Sequence, residues 1–399
     1  MRTRRARRRV SRATAALLGA LLLTVTACSG GGGQDRGTDP DDGPTEASEV
    51  SISITPDDGA TDVPTSGELR VAAEDGTLTE VLVTDPEGTE VAGELTEDAT
   101  GWEPTEHLAN DTEYTVAVVG ENAAGTEATR TTSFTTLAAG ATFTSNWNIT
   151  DGAEVGVGME LSLTFDTPIE NTDEVRDAIQ IVTEPPVEVR GHWFGDQRID
   201  FRPEEYWEPG TQVDVRLRIR GVEGAPGVYG TAREDFGFTI GRSQVSTVDV
   251  DTLTMDVVRD GESIRTIPVT TGAPGYETWN GRMVITEQLV ETRMNGDTVG
   301  YGGEYDIPDV PHAMRLSTSG TFIHGNYWGG DVFGNENASH GCIGLRDVRG
   351  AGDPDTPAAW FFANSIVGDV VEVVNSNDDV IAPDNGLNGW NMPWEDWGV

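Results

Sequence analysis

One pattern occurs twice in this 399-residue chain at identical spacings, and it commits the first half to a duplicated domain. Trp102-x-Pro104-x3-Leu108-x3-Thr112-x-Tyr114 matches Phe201-x-Pro203-x3-Trp207-x3-Thr211-x-Val213, about 100 residues further on. A period that long means two domains rather than a solenoid of short repeats. In each copy the proline segment leads by a turn into a strand beginning near Thr112 or Thr211. Each block then ends on a Phe-Thr strand, Phe134-Thr135 and Phe238-Thr239. Short alternating runs such as 51–54, 81–83 and 114–119 are separated by Asp57-Asp58-Gly59 and Asp85-Pro86-Glu87-Gly88, and no helical period persists. Several short strands at that spacing predict β-sandwiches. The expected body is mainly β and begins with two tandem immunoglobulin-like domains, 50–137 and 138–242. Such modules serve as spacers, and their lone histidines, His107 and His192, read as surface or structural residues.

A third β-rich block runs from 243 to 375. Runs 252–258 and 263–270 flank Arg259-Asp260-Gly261-Glu262, a hairpin signal because glycine accepts the positive φ of a tight turn. Further strands are expected at 283–286, 313–317 and 370–374. One short helix is expected, with Thr356 as N-cap, Pro357 at its first position, then Ala358-Ala359-Trp360-Phe361-Phe362-Ala363. The tail, 376–399, carries Trp390, Trp394 and Trp397. That much apolar surface predicts a tail packed back onto the body.

Charge removes one class of function. The chain holds 68 Asp and Glu against 26 arginines and no lysine, a formal net charge of −42. Such a surface repels phosphate backbones, which excludes nucleic acid as a partner. Seven of the arginines fall within the first twelve residues. An apolar stretch at 13–25 follows, shorter than a bilayer-spanning helix requires, and then Thr26-Ala27-Cys28. Together these predict a secretory signal peptide, 1–27. The cysteine directly after Val25-Thr26-Ala27 resembles a bacterial lipobox. That implies a diacylated Cys28 on the outer face of the cell membrane, with the Gly-rich, acidic segment 28–49 as a flexible tether. Cys342 is then an unpaired thiol in an oxidising compartment, which calls for a chemical role.

Candidate partners for that thiol lie close in sequence. His324 precedes Cys342 by 18 residues, and Ser339-His340-Gly341-Cys342 puts a second histidine two positions before it. A nucleophilic thiol needs a base, positive partial charge and backbone donors for an oxyanion. His324 or His340 can be the base. Gly341 lets the backbone approach a substrate, and the Gly341 and Cys342 N–H groups can form the oxyanion hole. Two other readings stand beside this one: a buried structural cysteine with incidental histidines, and a tetrahedral zinc site of His324, His340 and Cys342. The polar run suits a core strand poorly, while the spacing fits no common zinc motif.

His-x17-Cys with Ser339-His340-Gly341-Cys342 resembles the signature of the L,D-transpeptidases of bacterial cell walls. Tyr276-Glu277-Thr278-Trp279-Asn280-Gly281 is similar to that family's entry to a core strand. Arg293-Met294-Asn295 through Gly300 looks like its active-site lid, and Gly368-Asp369-Val370-Val371 like the strand after its helix. The Trp-rich tail and the two preceding domains resemble the long actinobacterial members. The resemblance implies Cys342 as nucleophile, His324 as its base, the Gly325 carbonyl as the group orienting His324, and His340 beside the nucleophile. It places Tyr305 (across a one-residue gap), Ser319, Gly320, Trp328, Ser339 and Gly341 around the substrate. Gly344 departs from the family, which usually has asparagine or arginine there, so a donor to the substrate is either missing or supplied by Asn335 or Asn337 in the preceding loop. Arg349-Gly350-Ala351-Gly352-Asp353 looks like a short insertion before the helix.

The implied reaction is a two-step acyl transfer on peptidoglycan stem peptides. Cys342 takes the acyl group of a tetrapeptide stem with loss of D-alanine, and a neighbouring stem's amine receives it in a 3→3 cross-link. The resemblance implies no metal or organic cofactor, and it implies carbapenems as covalent inhibitors. With water as acceptor the same site is an L,D-carboxypeptidase. A non-catalytic wall-binding lipoprotein is the reading from a different class, motivated by Gly344.

Overall fold

The computed structural model describes residues 49–300 and 302–398, so the expected signal peptide, Cys28 and the tether to residue 48 lie outside the described residues. Two tandem immunoglobulin-like sandwiches come first. In the first, Ser51–Thr55, Arg70–Glu74, Gly101–Pro104 and Gly93–Leu95 form one sheet in that spatial order. Ala60–Val63, Glu127–Thr136, Glu113–Glu121 and Thr77–Thr84 form the other. The second sandwich repeats the plan with four strands in each sheet, adding a small three-stranded sheet.

The repeated pattern marks the same core positions in both sandwiches. Trp102 and Phe201 sit on strands and are 5% and 4% exposed, while Leu108 and Trp207 cover the core from the following turn. Tyr114 and Val213 then open the next strand, buried at 2% and 1%. The second sandwich also holds a helix, Thr172–Asp177, that sequence periodicity did not anticipate. Six residues are too few to register a period, and only Val175 of them is buried.

The third block is built on a nine-stranded mixed sheet. Its spatial order is Gly281–Val284, Val370–Val374, Gln244–Asp249, Thr254–Arg259, Glu262–Thr270, Ile343–Arg346, Phe322–Asn326, Asp306–Arg315 and Glu287–Asn295. The hairpin expected from Asp260-Gly261 is present, with both turn residues at positive φ, 49° and 83°. The helix Pro357–Asn364 is capped by Thr356, whose hydroxyl accepts from Ala359 N at 3.2 Å. It lays Ala358 and Phe361 onto a core of Met255, Ile267, Met314, Ile323, Ile343 and Val371.

This block and the second sandwich share a core. Val284, Leu387 and Trp390 belong to the apolar cluster centred on Leu163, Ile199 and Val215. Gly156 and Gly158 donate to Val367 O and Gly368 O at 2.8 and 2.9 Å. A Cβ on Gly156 would lie 2.3 Å from the Gly368 backbone, so the approach requires glycine. Trp390 Nε1 donates to Gly158 O at 2.7 Å, and Trp397 Nε1 donates to Arg190 O at 2.9 Å. The buried Arg202 guanidinium lies over the Trp397 ring, 4.3 Å from its centroid.

The first sandwich meets the second through polar groups. Thr65 Oγ1 donates to Gly221 O at 2.7 Å, and His107 Nδ1 lies 3.2 Å from the same carbonyl. Glu106 accepts from Arg218 and Arg233 at 2.7 and 2.9 Å.

Candidate active site

The two strands that carry the candidate base and nucleophile are adjacent and parallel. In their register His324 faces Gly344 and Gly325 faces Leu345. Cys342 therefore enters the sheet beside the start of the His324 strand, although 18 residues separate the two side chains in sequence. Both line one cavity of about 180 Å³, together with Met294, Tyr305, Ile307, Asn326, Trp328, Ser339 and His340.

His324 is 5% exposed, and its Nδ1 lies 2.8 Å from Gly325 O. A carbonyl only accepts, so Nδ1 carries the hydrogen and Nε2 keeps a lone pair in the neutral ring. The Trp328 ring lies nearly parallel to the imidazole, 5.9 Å between centroids. Burial pushes His324 below its ordinary range, partly opposed by the Gly325 hydrogen bond and by the charge of Asp347. Burial pushes the Cys342 thiol up to about 11. Its Sγ donates to Gly320 O at 3.7 Å. The resting pair is therefore neutral thiol and neutral imidazole.

The loop before Cys342 is tied down by its backbone. Ser339 Oγ donates to Cys342 O at 2.6 Å, and Ser339 N donates to Thr271 O at 3.0 Å. Gly341 has φ 98°, a conformation that turns the chain sharply just before the nucleophile. His340 packs against Tyr276 and Tyr305, 4.5 and 5.2 Å between ring centroids. Its Nε2 lies 3.1 Å from Glu304 Oε2, which also accepts from Tyr276 Oη at 2.8 Å.

The sequence-derived groove residues divide between two hollows. Tyr305, Trp328 and Ser339 line the cavity with Cys342, whereas Ser319, Gly320 and Gly341 line an adjoining hollow of about 360 Å³. His340 borders both.

Asn335 and Asn337 do not reach the cavity. Asn335 Nδ2 donates to Asp331 O and Phe333 O, and Asn337 Oδ1 accepts from Thr271 Oγ1 at 2.5 Å. The amide beside Gly344 is Asn326, which sequence reasoning missed. Its Oδ1 accepts from Trp328 N at 3.0 Å, and its Nδ2 lies 3.6 Å from where a Cβ on Gly344 would be. Among the described residues no cluster of three or more His, Cys, Asp or Glu side chains is arranged to hold a metal ion.

Residues 60–223 match a bacterial Ig domain family, and residues 243–373 match the L,D-transpeptidase catalytic domain family. The chain is 32% identical over 405 aligned residues to L,D-transpeptidase 2 of Mycobacterium tuberculosis (strain CDC 1551 / Oshkosh), covering 98% of this chain and 96% of that one. It is 31% identical to L,D-transpeptidase 5 of Mycobacterium tuberculosis (strain ATCC 25618 / H37Rv), covering 87% of this chain and 76% of that one. A solved structure of the LD transpeptidase LdtMt1 in complex with imipenem is 29% identical, covers 57% of this chain and 97% of its own, and superposes with a TM-score of 0.49.

Proposed function

Because the chain belongs to the L,D-transpeptidase family, we propose that it forms 3→3 peptidoglycan cross-links by cysteine acyl transfer from a tetrapeptide stem, releasing D-alanine. The observation that carries this reading is that Cys342 and His324 open onto one cavity while His324 Nδ1 is committed to Gly325 O. That commitment leaves Nε2 as the general base.

Cys342 gives its proton to His324 Nε2 as Sγ bonds to the carbonyl carbon of the stem's third residue. Because burial favours the neutral pair, the proton moves during attack rather than before it. The Gly341 and Cys342 N–H groups stabilise the oxyanion, where preorganised donors have their largest effect. The C–N bond then breaks, and His324 returns the proton to the departing amine of D-alanine, leaving a thioester on Cys342. An amine of a second stem attacks the thioester and passes its proton to His324. The C–S bond breaks, and the thiol is reprotonated. Tyr305 and Trp328 contact the stem in the cavity, and His340 flanks the scissile amide. Ser319, Gly320 and Gly341 border the substrate from the adjoining hollow.

The N-terminal sequence supports a lipoprotein anchored through Cys28 on the outer face of the cell membrane. The two sandwiches then hold the site out from that surface, each domain of this size having a radius of gyration of about 13 Å. A carbapenem is expected to acylate Cys342, since its strained ring carbonyl is an electrophile and the opened ring nitrogen can take the thiol proton.

Purified protein incubated with a disaccharide-tetrapeptide, and with a second stem as acceptor, tests the reading by mass spectrometry. A cross-linked dimer that has lost one alanine supports it, and Cys342→Ala should make none. Tripeptide alone means that water is the acceptor and the protein is an L,D-carboxypeptidase. No turnover and no Cys342 adduct would leave wall binding without catalysis.

A further inference from the structure

A carboxylate and a second imidazole are buried together against the strand that carries His324, and neither lines the cavity. Asp347 follows the strand Ile343–Arg346, and its backbone N–H donates to Asn326 O at 3.2 Å. Its side chain is wholly buried. Oδ1 accepts from Val348 N at 2.8 Å and from Thr356 Oγ1 at 2.9 Å. Oδ2 lies 2.7 Å from His312 Nδ1. His312 comes from the strand Asp306–Arg315, and its ring packs against Phe362 of the helix, 5.2 Å between centroids. Its backbone has φ 47°, a left-handed conformation that a non-glycine residue keeps only where its surroundings impose it.

Orienting the Thr356 cap accounts for Oδ1 but not for Oδ2 and its His312 partner. The contact that points elsewhere is with Gly325. A Cβ there would lie 2.0 Å from Asp347 Oδ2 and 2.8 Å from its Cβ and Cγ. Asp347 therefore packs against the Cα of Gly325, the residue whose carbonyl holds the His324 ring.

We propose that Asp347, held by His312 and Thr356, is the positioning residue of His324 and acts through the Gly325 peptide. The inference rests on the reading of Cys342 and His324 as nucleophile and base. Packing of the carboxylate keeps the Gly325 carbonyl aimed at Nδ1. Its negative charge also favours the imidazolium that forms when His324 takes the thiol proton, an effect that burial strengthens. The other titratable groups around His324 are Cys342, His340 and Tyr305, all on the cavity side. Arg346 and Arg349, the basic residues flanking Asp347, pair instead with Asp331 and Asp309 at 3.8 and 2.5 Å. Among the described residues, His312 is thus the ionisable group within hydrogen-bond distance of Asp347.

The test measures the second-order rate of carbapenem acylation by intact mass from pH 5 to 9, beside an NMR titration of the His324 imidazole. Asp347→Asn keeps the shape and an acceptor oxygen but removes the charge. It should acylate at least about tenfold more slowly. Both the acid limb of the rate profile and the His324 titration should move to lower pH. His312→Gln, whose amide can still donate to Asp347, should retain most of the rate, and His312→Leu should not. An Asp347→Asn protein with wild-type rate and titration would overturn the inference. So would slowing with an unmoved titration, because that marks a structural role only. If Asp347→Asn does not fold, equal rates and profiles for the two His312 variants overturn it instead. Wild type that is never acylated at Cys342 defeats the nucleophile–base reading and this inference with it, whereas failure confined to the variants defeats the inference alone.

Discussion

The Cys342 thiol donates its hydrogen bond to the Gly320 carbonyl across 3.7 Å, and among the described residues no hydrogen bond joins it to His324. The nucleophile therefore rests as a thiol, parked on a neighbouring turn and pushed up to about 11 by burial. Only the thiolate alkylates quickly, so iodoacetamide should label Cys342 slowly at pH 7–8. The rate should climb by about tenfold per pH unit and level off only near pH 11. The sign follows from the direction of the shift, since a raised thiol stays protonated to higher pH. A labelling profile that levels off near pH 8 would show an activated thiolate and contradict the neutral resting pair.

The shared core makes the third block dependent on the second sandwich. A chain beginning at Ser243 strips the partners from Trp390 and Trp397, which are 5% and 1% exposed in the intact fold. Re-exposing them costs about 2–3 kcal/mol each by the area rule. Such a chain should unfold at markedly lower temperature or aggregate. A chain beginning at residue 138 should keep its melting temperature and its acylation rate. Among the described residues it loses the polar contacts of Thr65, Glu106 and His107 with the second sandwich and the packing of Leu108 on Gly221, but no part of the shared core. Calorimetry with mass-detected acylation checks both, and full stability of the shorter chain would contradict the shared core.

Parts of this were readable in the sequence because they rest on local pattern. Trp102 and Phe201 are core residues flanked by a fixed proline and turn, so duplication preserved their spacing. Asp260-Gly261 and Thr356-Pro357 announce a hairpin and a helix start through backbone preferences of one or two residues. Cys342 stood out because a thiol, two histidines and a glycine fall close together. His312 and Asp347 gave no such signal. They are 35 residues apart and meet only because of the order in which the strands join the sheet. The expected role of Asn335 and Asn337 failed for a different reason. Short asparagine side chains satisfy nearby backbone or hydroxyl groups before they reach across a cavity.

Glu160 supplies a stability test with a definite sign. It is fully buried beneath the tail, with its carboxyl group against the Gly389 backbone. Burial, with the charge of Asp200 adding to it, pushes Glu160 well above the usual carboxylate range. An acid raised in the fold binds more protons folded than unfolded, so stability falls as pH rises above the unfolded value, about 4.3. Glu160→Gln removes that ionisation. It should raise the melting temperature more at pH 8 than at pH 5. An equal change at both pH values, or a larger one at pH 5, would show that Glu160 is charged in the fold.

Gly344 is set by its neighbours as much as by any substrate. A Cβ at this position would lie 2.7 Å from Thr270 Cγ2 and 3.6 Å from Asn326 Nδ2. Restoring the asparagine expected by resemblance should therefore overpack the strand pair and cost about 1–3 kcal/mol. Thr270→Ser removes the obstructing methyl and should recover most of that loss in the Gly344→Asn background. The same space explains why the amide beside the nucleophile comes from Asn326, which reaches it from the adjacent strand. Asn326→Ala should then slow acylation by about tenfold, the scale of one lost hydrogen bond to a charged or developing charged group. Gly344→Asn with Thr270→Ser should restore part of that rate to Asn326→Ala. Denaturant titration and acylation rates on the single, double and triple variants give the comparison. No rescue in the triple variant would mean that Asn326 only packs against Gly344 and Trp328.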